Sequence, residues 1–307
     1  MYHRLAIIIP AYKAEFFSLA LDSLAAQTCK EFTLYIGDDC SPYDLGTIVN
    51  QYQDKMRIVY HRFDDNLGGK DLVSHWERCI SLSEEEDFIW LFSDDDIMSP
   101  SCVECFYKTL ENTNAFYDVY HFDFNIINEF GVQTSTFSNY PQVLSSYDFY
   151  QGRHEGRLRS FVIENIFSRK VYVRNGGFVN FDLAWGSDTA TWCLFSMDTG
   201  IYVIHDATVS WRRSKVNISP NKSSNMSERK IMSVCKFLEW SYNFYRNEHP
   251  EIFEINRKMF ISRMRMFQKY ISFRVFREAF NYFFLSHGHK NVRIKTYIAI
   301  RVGLIKR

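Results

Sequence analysis

The stretch FSDDDIMSP, Phe92 to Pro100, limits what this chain can fold into more than any other segment. Just before it runs Phe88-Ile89-Trp90-Leu91-Phe92, apolar, aromatic and of strand length. Adjacent carboxylates Asp94, Asp95 and Asp96 at the end of a buried strand repel one another and resist desolvation, so the fold must compensate them. A divalent cation is the simplest compensation. Hard oxygen ligands suit Mg²⁺ or Mn²⁺, and Mg²⁺ is commonly shared between carboxylates and substrate phosphates. Taken alone, the same residues equally describe a solvated acidic turn opening a helix at Ser99-Pro100.

At 307 residues the chain has room for one large or two modest domains, and 46% apolar and 17% aromatic residues exclude disorder. No run of apolar residues is long enough to span a bilayer and no basic-then-apolar leader follows Met1, so neither a spanning helix nor a signal peptide is expected. The 7 cysteines are scattered; Cys102 and Cys105 have CxxC spacing without a second such pair, which points to free thiols in a cytoplasmic protein. A formal net charge of zero hides an asymmetry: Arg257 to Arg307 holds 13 Lys/Arg and 1 acid, Glu278, leaving the preceding residues at −12. A basic tail follows an acidic body.

In chain order, Leu5 to Ile9 is a continuous apolar run bounded by Pro10 and reads as a buried parallel strand. Apolar Phe17, Leu21, Leu24 and Ala25 predict a helix, Phe32 to Ile36 a second strand ending in Gly37-Asp38-Asp39, and Ser41-Pro42 the turn into a helix carrying Leu45, Ile48, Val49 and Tyr52. A third strand, Arg57 to His61, precedes the loop signal Asn66-Leu67-Gly68-Gly69, and a helix from about Asp71 to Leu82 leads back to the acidic strand end. This alternation indicates a parallel α/β sheet, in which ligands bind at the carboxyl ends of strands. Pro10-Ala11-Tyr12, Asp38-Asp39, Asn66-Gly68 and Asp94-Asp95-Asp96 all fall at such ends.

These residues carry a resemblance. Pro10-Ala11-Tyr12-Lys13, Ser23 to Thr28 (SLAAQT), Asp38-Asp39-Cys40-Ser41 and the acidic stretch followed by Pro100 resemble the opening of the family 2 glycosyltransferases. Lys13 stands where that family has Asn, and Ser93 where it has a first Asp. The resemblance implies the GT-A nucleotide-sugar-binding fold, a Rossmann-like mixed sheet flanked by helices, here with a C-terminal helical extension. It also implies transfer, with inversion, from a nucleotide-diphosphate sugar, expected to be UDP-linked, to a hydroxyl of a saccharide or lipid-linked acceptor. Carried over by position, Pro10 and Tyr12 frame the base, Asp39 accepts a hydrogen bond from it, and Asp94 lies near sugar and ribose. Asp95 ligates Mn²⁺ or Mg²⁺, and Lys70 or His75 faces the phosphates. Residues 1–100 are expected to bind donor, 101–220 acceptor, and 221–307 to form the basic extension.

Tyr117 to Ile127 alternates as a strand turning at Glu129-Phe130-Gly131 into a hairpin. Ile166 to Arg169 and Asn175-Gly176-Gly177-Phe178 resemble the family's approach to its catalytic acid, the double glycine admitting close backbone contact. Trp185-Gly186-Ser187-Asp188 follows, and the resemblance makes Asp188 the catalytic base; an acid there also suits a helix N-terminus. Ser214 stands where relatives carry a metal-binding His, and Arg212 or Arg213 is a candidate for phosphate contact. Ser219 to Ser227 reads as a loop, and beyond it Phe260, Met264, Phe267, Ile271 and Val275 recur at helical spacing among basic residues. Such a stretch packs on its own domain or meets an anionic bilayer, and contact with the inner face of the cell membrane is the expectation here. No motif supports nucleic-acid binding. Two alternatives remain: a nucleotidyltransferase, which would need a Gly-rich, basic loop after the first strand, and a non-catalytic nucleotide- or glycan-binding module on the same fold.

Overall fold

The computed structural model describes residues 4–83, 85–214, 221–288 and 292–302. By their contacts they form two compact units, Met1–Val179 with Thr191–Ser214, and Asn180–Ala190 with Lys215–Arg307.

The first unit is a mixed sheet with helices. Its elements are β1 (Leu5–Ala11), α1 (Phe17–Ala25), β2 (Phe32–Asp38), α2 (Leu45–Asn50), β3 (Ile58–Arg62), α3 (Leu72–Ile80), β4 (Phe88–Leu91), β5 (Ile97–Met98), α4 (Cys102–Asn112), β6 (Val119–Ile127), β7 (Gln133–Phe137), β8 (Val143–Leu144), α5 (Ser146–Glu155), β9 (Asn165–Ser168) and α6 (Arg169–Arg174). Between β9 and β10 (Ile201–Arg212) in the chain come a 3₁₀ turn (Asp182–Ala184), which belongs to the second unit, and α7 (Ser187–Phe195), which belongs to the second unit up to Ala190 and to the first from Thr191. The strand order is β3-β2-β1-β4-β9-β6-β10-β5, with β7 on β6 and β8 on β10. The four strands read from the amino-terminal third are mutually parallel, and the apolar runs of β1 and β4 lie buried within the sheet while β3, at its edge, is largely exposed. β9 then runs antiparallel to both β4 and β6, which makes the sheet mixed.

Local chemistry sets the element ends. Pro10 lacks an N–H, yet it sits in a central strand because β1 pairs with β4 only as far as Ile8 opposite Leu91. After the turn at Ser41-Pro42, Asp44 caps α2 through Thr47 N at 3.1 Å, so the helix begins at Leu45. Asp71 caps α3 in the same way through Ser74 N at 3.1 Å. After the acidic turn the chain makes β5 before α4 begins at Cys102, later than Ser99-Pro100. The core lies on both faces of the sheet, with Ile7, Ile8, Leu34, Trp90, Phe122 and Trp192 all fully buried.

The second unit contains α8 (Ser224–Tyr245), α9 (Ile252–Phe267), α10 (Phe273–His287) and α11 (Arg293–Val302). The polar segment ends sooner than its composition suggests: Ser224 to Ser227 are already helical, while Ser219 and Pro220 lie outside the described residues. The apolar repeat from Phe260 to Val275 crosses a helix break, because Ser272 caps α10 through Val275 N at 3.3 Å and Ile271 falls in the turn. Phe260, Met264, Phe267 and Val275 are buried among the helices, Phe260 stacked on Phe283 at 4.4 Å. Much of the apolar face of this segment is therefore spent on its own unit. Among the described residues no helix is long and apolar enough to cross a membrane.

Candidate functional site

The strand order reverses between β1 and β4: β2 and β3 follow on one side of β1, and β4 lies on the other. In an open α/β sheet that reversal leaves a crevice at the carboxyl ends of the two strands. The residues leaving β1 are Tyr12 and Lys13, and those beyond β4 are Ser93 to Asp96. The two segments are joined directly. Asp94 Oδ2 accepts the N–H of Tyr12 at 2.9 Å and of Lys13 at 2.8 Å. The Lys13 ammonium bridges Asp94 Oδ1, at 3.1 Å, and Asp95 Oδ2. Ser93 donates its hydroxyl to Asp95 Oδ1 at 2.6 Å.

All three carboxylates of the turn are buried, at 2–4% exposure, and each is compensated differently. Burial first, and then the Asp95 charge, hold Asp96 well above the usual carboxylate range; its Oδ1 accepts the N–H of Arg212 at 2.6 Å. Burial works most strongly against the charge of Lys13, but Asp94 and Asp95 outweigh it and leave the ammonium harder to deprotonate than a free lysine. Arg212 is itself buried at 1% exposure, its Nε donates to Asp95 O at 2.8 Å, and its guanidinium lies 4.5 Å from the Phe16 ring centre. Arg212 thus braces the acidic turn from behind, which corrects its reading as a phosphate ligand; Arg213 is the exposed one of the pair.

Hard oxygens fit a divalent ion, and the bridging ammonium shows that Asp94 and Asp95 together support one cation. Among the described residues no group of three or more His, Cys, Asp or Glu is arranged as a metal cluster.

Asp38 and Asp39 divide their work. Asp38 is fully buried and structural, accepting from Ser41 N at 2.7 Å, Tyr60 Oη at 2.6 Å and Arg62 at 2.8 Å. Asp39 holds the Asn66–Gly69 loop: its Oδ1 accepts from Leu67 N at 2.8 Å and its Oδ2 from Gly68 N at 2.9 Å. Gly68 is required there, because a Cβ would stand 2.7 Å from Asp39 Oδ2. Arg78 pairs with Asp39 and, at 2.9 Å, with Asp65, its guanidinium 4.0 Å from the Phe63 ring centre. Sequence reading passes over Arg78, since its place on α3 looks like an ordinary polar face. Only the burial of Asp39, at 3% exposure, demands a cation at that point.

Tyr12 is exposed, Pro10 partly so, and Lys70 stands on the exposed side of the glycine loop. His75 is buried at 2% exposure, 3.3 Å from Asp39 Oδ1, and burial pushes it down to about 4, so it is a neutral packing residue and not a phosphate contact. Of the double glycine, Gly177 packs closely against Glu77. The Phe178 N–H donates to Glu77 Oε1 at 2.6 Å, and Gly177, at φ 95°, would place a Cβ 2.6 Å from the same oxygen.

Asp188 belongs to the second unit, in the first turn of α7, half-buried, with Thr189 Oγ1 donating to its Oδ1 at 3.4 Å. The approach to it is tightly shaped. Leu183 and Ala184 have φ of 59° and 52°, a region non-glycine residues rarely adopt. Gly186, at φ 98°, would carry a Cβ 3.0 Å from the Phe237 ring. Ser187 Oγ accepts the Phe181 N–H at 2.9 Å, and Arg229 forks onto Asp182 at 2.5 and 2.9 Å.

Comparison with known proteins bears on the family and the fold. In sequence the chain is 29% identical over 133 residues to poly(ribitol-phosphate) beta-N-acetylglucosaminyltransferase TarS of Staphylococcus aureus, taking in 42% of this chain and 21% of that protein. The chain thus spans about a fifth of the length of the curated relatives it matches. In structure it is similar to S. aureus TarS 1-349 in complex with UDP-GlcNAc, with a TM-score of 0.57 at 16% identity over 92% of this chain and 89% of that one. It is also similar to the mannosyltransferase PcManGT of Pyrobaculum calidifontis in complex with GDP-Man and Mn²⁺, with a TM-score of 0.55 at 11% identity over 100% and 87%. These likenesses place the fold among GT-A glycosyltransferases. The sequence profile described as glycosyl transferase family 2 matches residues 6–173, more than half of the chain, and the protein belongs to that family.

Proposed function

We propose that the protein transfers a sugar from a UDP-linked donor to a hydroxyl of a saccharide or lipid-linked saccharide, in the synthesis of a cell-surface glycan. The observation that carries this reading is the joined crevice at the strand-order reversal, where Tyr12 and Lys13 meet Asp94 and Asp95. Tyr12 and Pro10 supply surface for the base, and Asp39 Oδ2 has a second lone pair for a base N–H beyond the hydrogen bond from Gly68. Asp94 lies near the ribose and sugar. Lys70, exposed on the glycine loop, is the residue we assign to the phosphates. The likeness to TarS, a protein solved with UDP-GlcNAc, supports a uridine donor.

Asp95, with Asp94, would hold a Mn²⁺ or Mg²⁺ ion, which when bound supplies positive charge to the donor's diphosphate. The chain's own chemistry is a proton transfer. Asp188 takes the proton of the acceptor hydroxyl as its oxygen bonds to the anomeric carbon; the carbon–oxygen bond to the diphosphate breaks and the configuration inverts. In the second unit, Arg274, Arg277, Arg293 and Lys295 are exposed, as are Phe273 (67%), Leu285 (76%) and Ile294 (75%), and this composition supports attachment to the anionic inner face of a cell membrane.

The test is UDP release from UDP-sugars with and without saccharide acceptors. Release that depends on acceptor is the expected result. Nucleotide binding with no turnover over a broad panel of donors and acceptors would leave a binding module as the better reading.

A further inference from the structure

The residue that follows Tyr12 in the crevice is a lysine, Lys13, and its charge is set against the acidic turn. The Lys13 ammonium bridges Asp94 Oδ1, at 3.1 Å, and Asp95 Oδ2, the two carboxylates assigned above to a divalent cation. We propose that Lys13 is a resident counter-ion of the donor site that competes with the divalent ion for Asp95, so that the ion binds only as the ammonium leaves. This rests on the glycosyltransferase reading and adds a control of cation entry to it.

Geometry supports the exchange. Asp94 and Asp95 are 4% and 5% exposed at the side chain, so two charges there need a cation continuously and water cannot replace it. The Lys13 side chain is 28% exposed, so its flexible stem has solvent to swing into. Its backbone is fixed independently, because the Lys13 N–H donates to Asp94 Oδ2 at 2.8 Å whatever side chain the residue carries. The loop can therefore keep its course while the ammonium moves. A diphosphate arriving with the ion offers the displaced ammonium a new anionic partner, which couples donor binding to cation binding.

The experiment titrates Mn²⁺ alone into nucleotide-free protein and reads free Mn²⁺ by electron paramagnetic resonance. Lys13→Gln should bind Mn²⁺ at least about tenfold more tightly than the parent, as expected when a competing charge at contact distance is removed. Lys13→Arg, which keeps the charge, should bind no more tightly than the parent, and adding Asp95→Asn to Lys13→Gln should abolish the gain. Equal Mn²⁺ affinity in the parent and Lys13→Gln overturns the proposal. Should Lys13→Gln fold poorly, the parent serves: amine labelling of Lys13, read by mass spectrometry, should rise when Mn²⁺ is added without nucleotide. Unchanged or reduced labelling overturns the proposal equally. UDP binding, measured by calorimetry in the same samples, separates the two levels. If UDP does not bind, the donor-site reading fails; if it binds while Lys13→Gln gains nothing, only the competition fails.

Discussion

Replacing Gly68 with alanine tests whether Asp39 and the glycine loop are built as the structure has them. The added Cβ would lie 2.7 Å from Asp39 Oδ2, whereas ordinary contact begins at 3.4 Å, so something must give by about 0.7 Å. The carboxylate has little freedom to do so. Its other oxygen is held by Leu67 N at 2.8 Å and by Arg78, which is itself anchored to Asp65 at 2.9 Å. The loop must move instead, and the 2.9 Å hydrogen bond from Gly68 N is then lost. Overpacking typically costs about 1–3 kcal/mol and a hydrogen bond to a charged group contributes about 1.5–3 kcal/mol, so a loss of about 3 kcal/mol is expected. Urea unfolding of Gly68→Ala against the parent measures it. The informative comparison repeats Gly68→Ala in an Asp39→Ala background, where there is no carboxylate to strike. The cost there should fall by about 2 kcal/mol, the signature of a direct coupling. Equal costs in the two backgrounds, or a Gly68→Ala protein as stable as the parent, would refute this account of the loop.

Asp39→Ala should weaken UDP binding by about 1.5–3 kcal/mol in calorimetry, with unchanged affinity removing Asp39 from the base site. Asp188→Asn should lower sugar transfer at least about a hundredfold while the donor's Kd changes less than about threefold; full transfer by the folded variant would remove the proposed base. His75 is depressed to about 4 in the folded protein against an ordinary 6.5, so the stability tied to its neutral form is complete above about 6.5 and is lost as the pH falls toward 4. His75→Gln should therefore flatten part of the pH dependence of the urea midpoint between pH 7 and 4.5, and an unaltered slope would contradict the burial argument. Finally, the protein should sediment with anionic but not neutral liposomes at low salt, and truncation after Ser227 should release it. Equal behaviour with both vesicles would count against the electrostatic anchor, and global unfolding on truncation would assign the helices to packing.

Much of the donor half was legible because its signals are local. Unbroken apolar runs such as Leu5 to Ile9 demand burial on both faces, and polar clusters at their carboxyl ends place a site wherever strand order reverses. The clusters Pro10-Ala11-Tyr12, Asp38-Asp39 and Asp94-Asp95-Asp96 stand out on that ground alone, and the family resemblance singles out Tyr12, Asp39, Asp94 and Asp95 within them. Tertiary structure decided which partner each buried charge receives. Compensation of a carboxylate depends on distance in space, and nothing in the spacing of Lys13 from Asp95, or of Arg78 from Asp39, reveals their contact. The same limit explains His75 and Arg212, polar in sequence and therefore read toward phosphate, yet turned inward, where His75 Nδ1 accepts from Arg78 Nε at 3.0 Å and Arg212 Nε donates to Asp95 O at 2.8 Å. In the tail, the repeat from Phe260 to Val275 reports apolar residues at helical spacing but not what covers them. Burial of that face against neighbouring helices, and the break capped by Ser272, are properties of packing that one-dimensional periodicity does not encode.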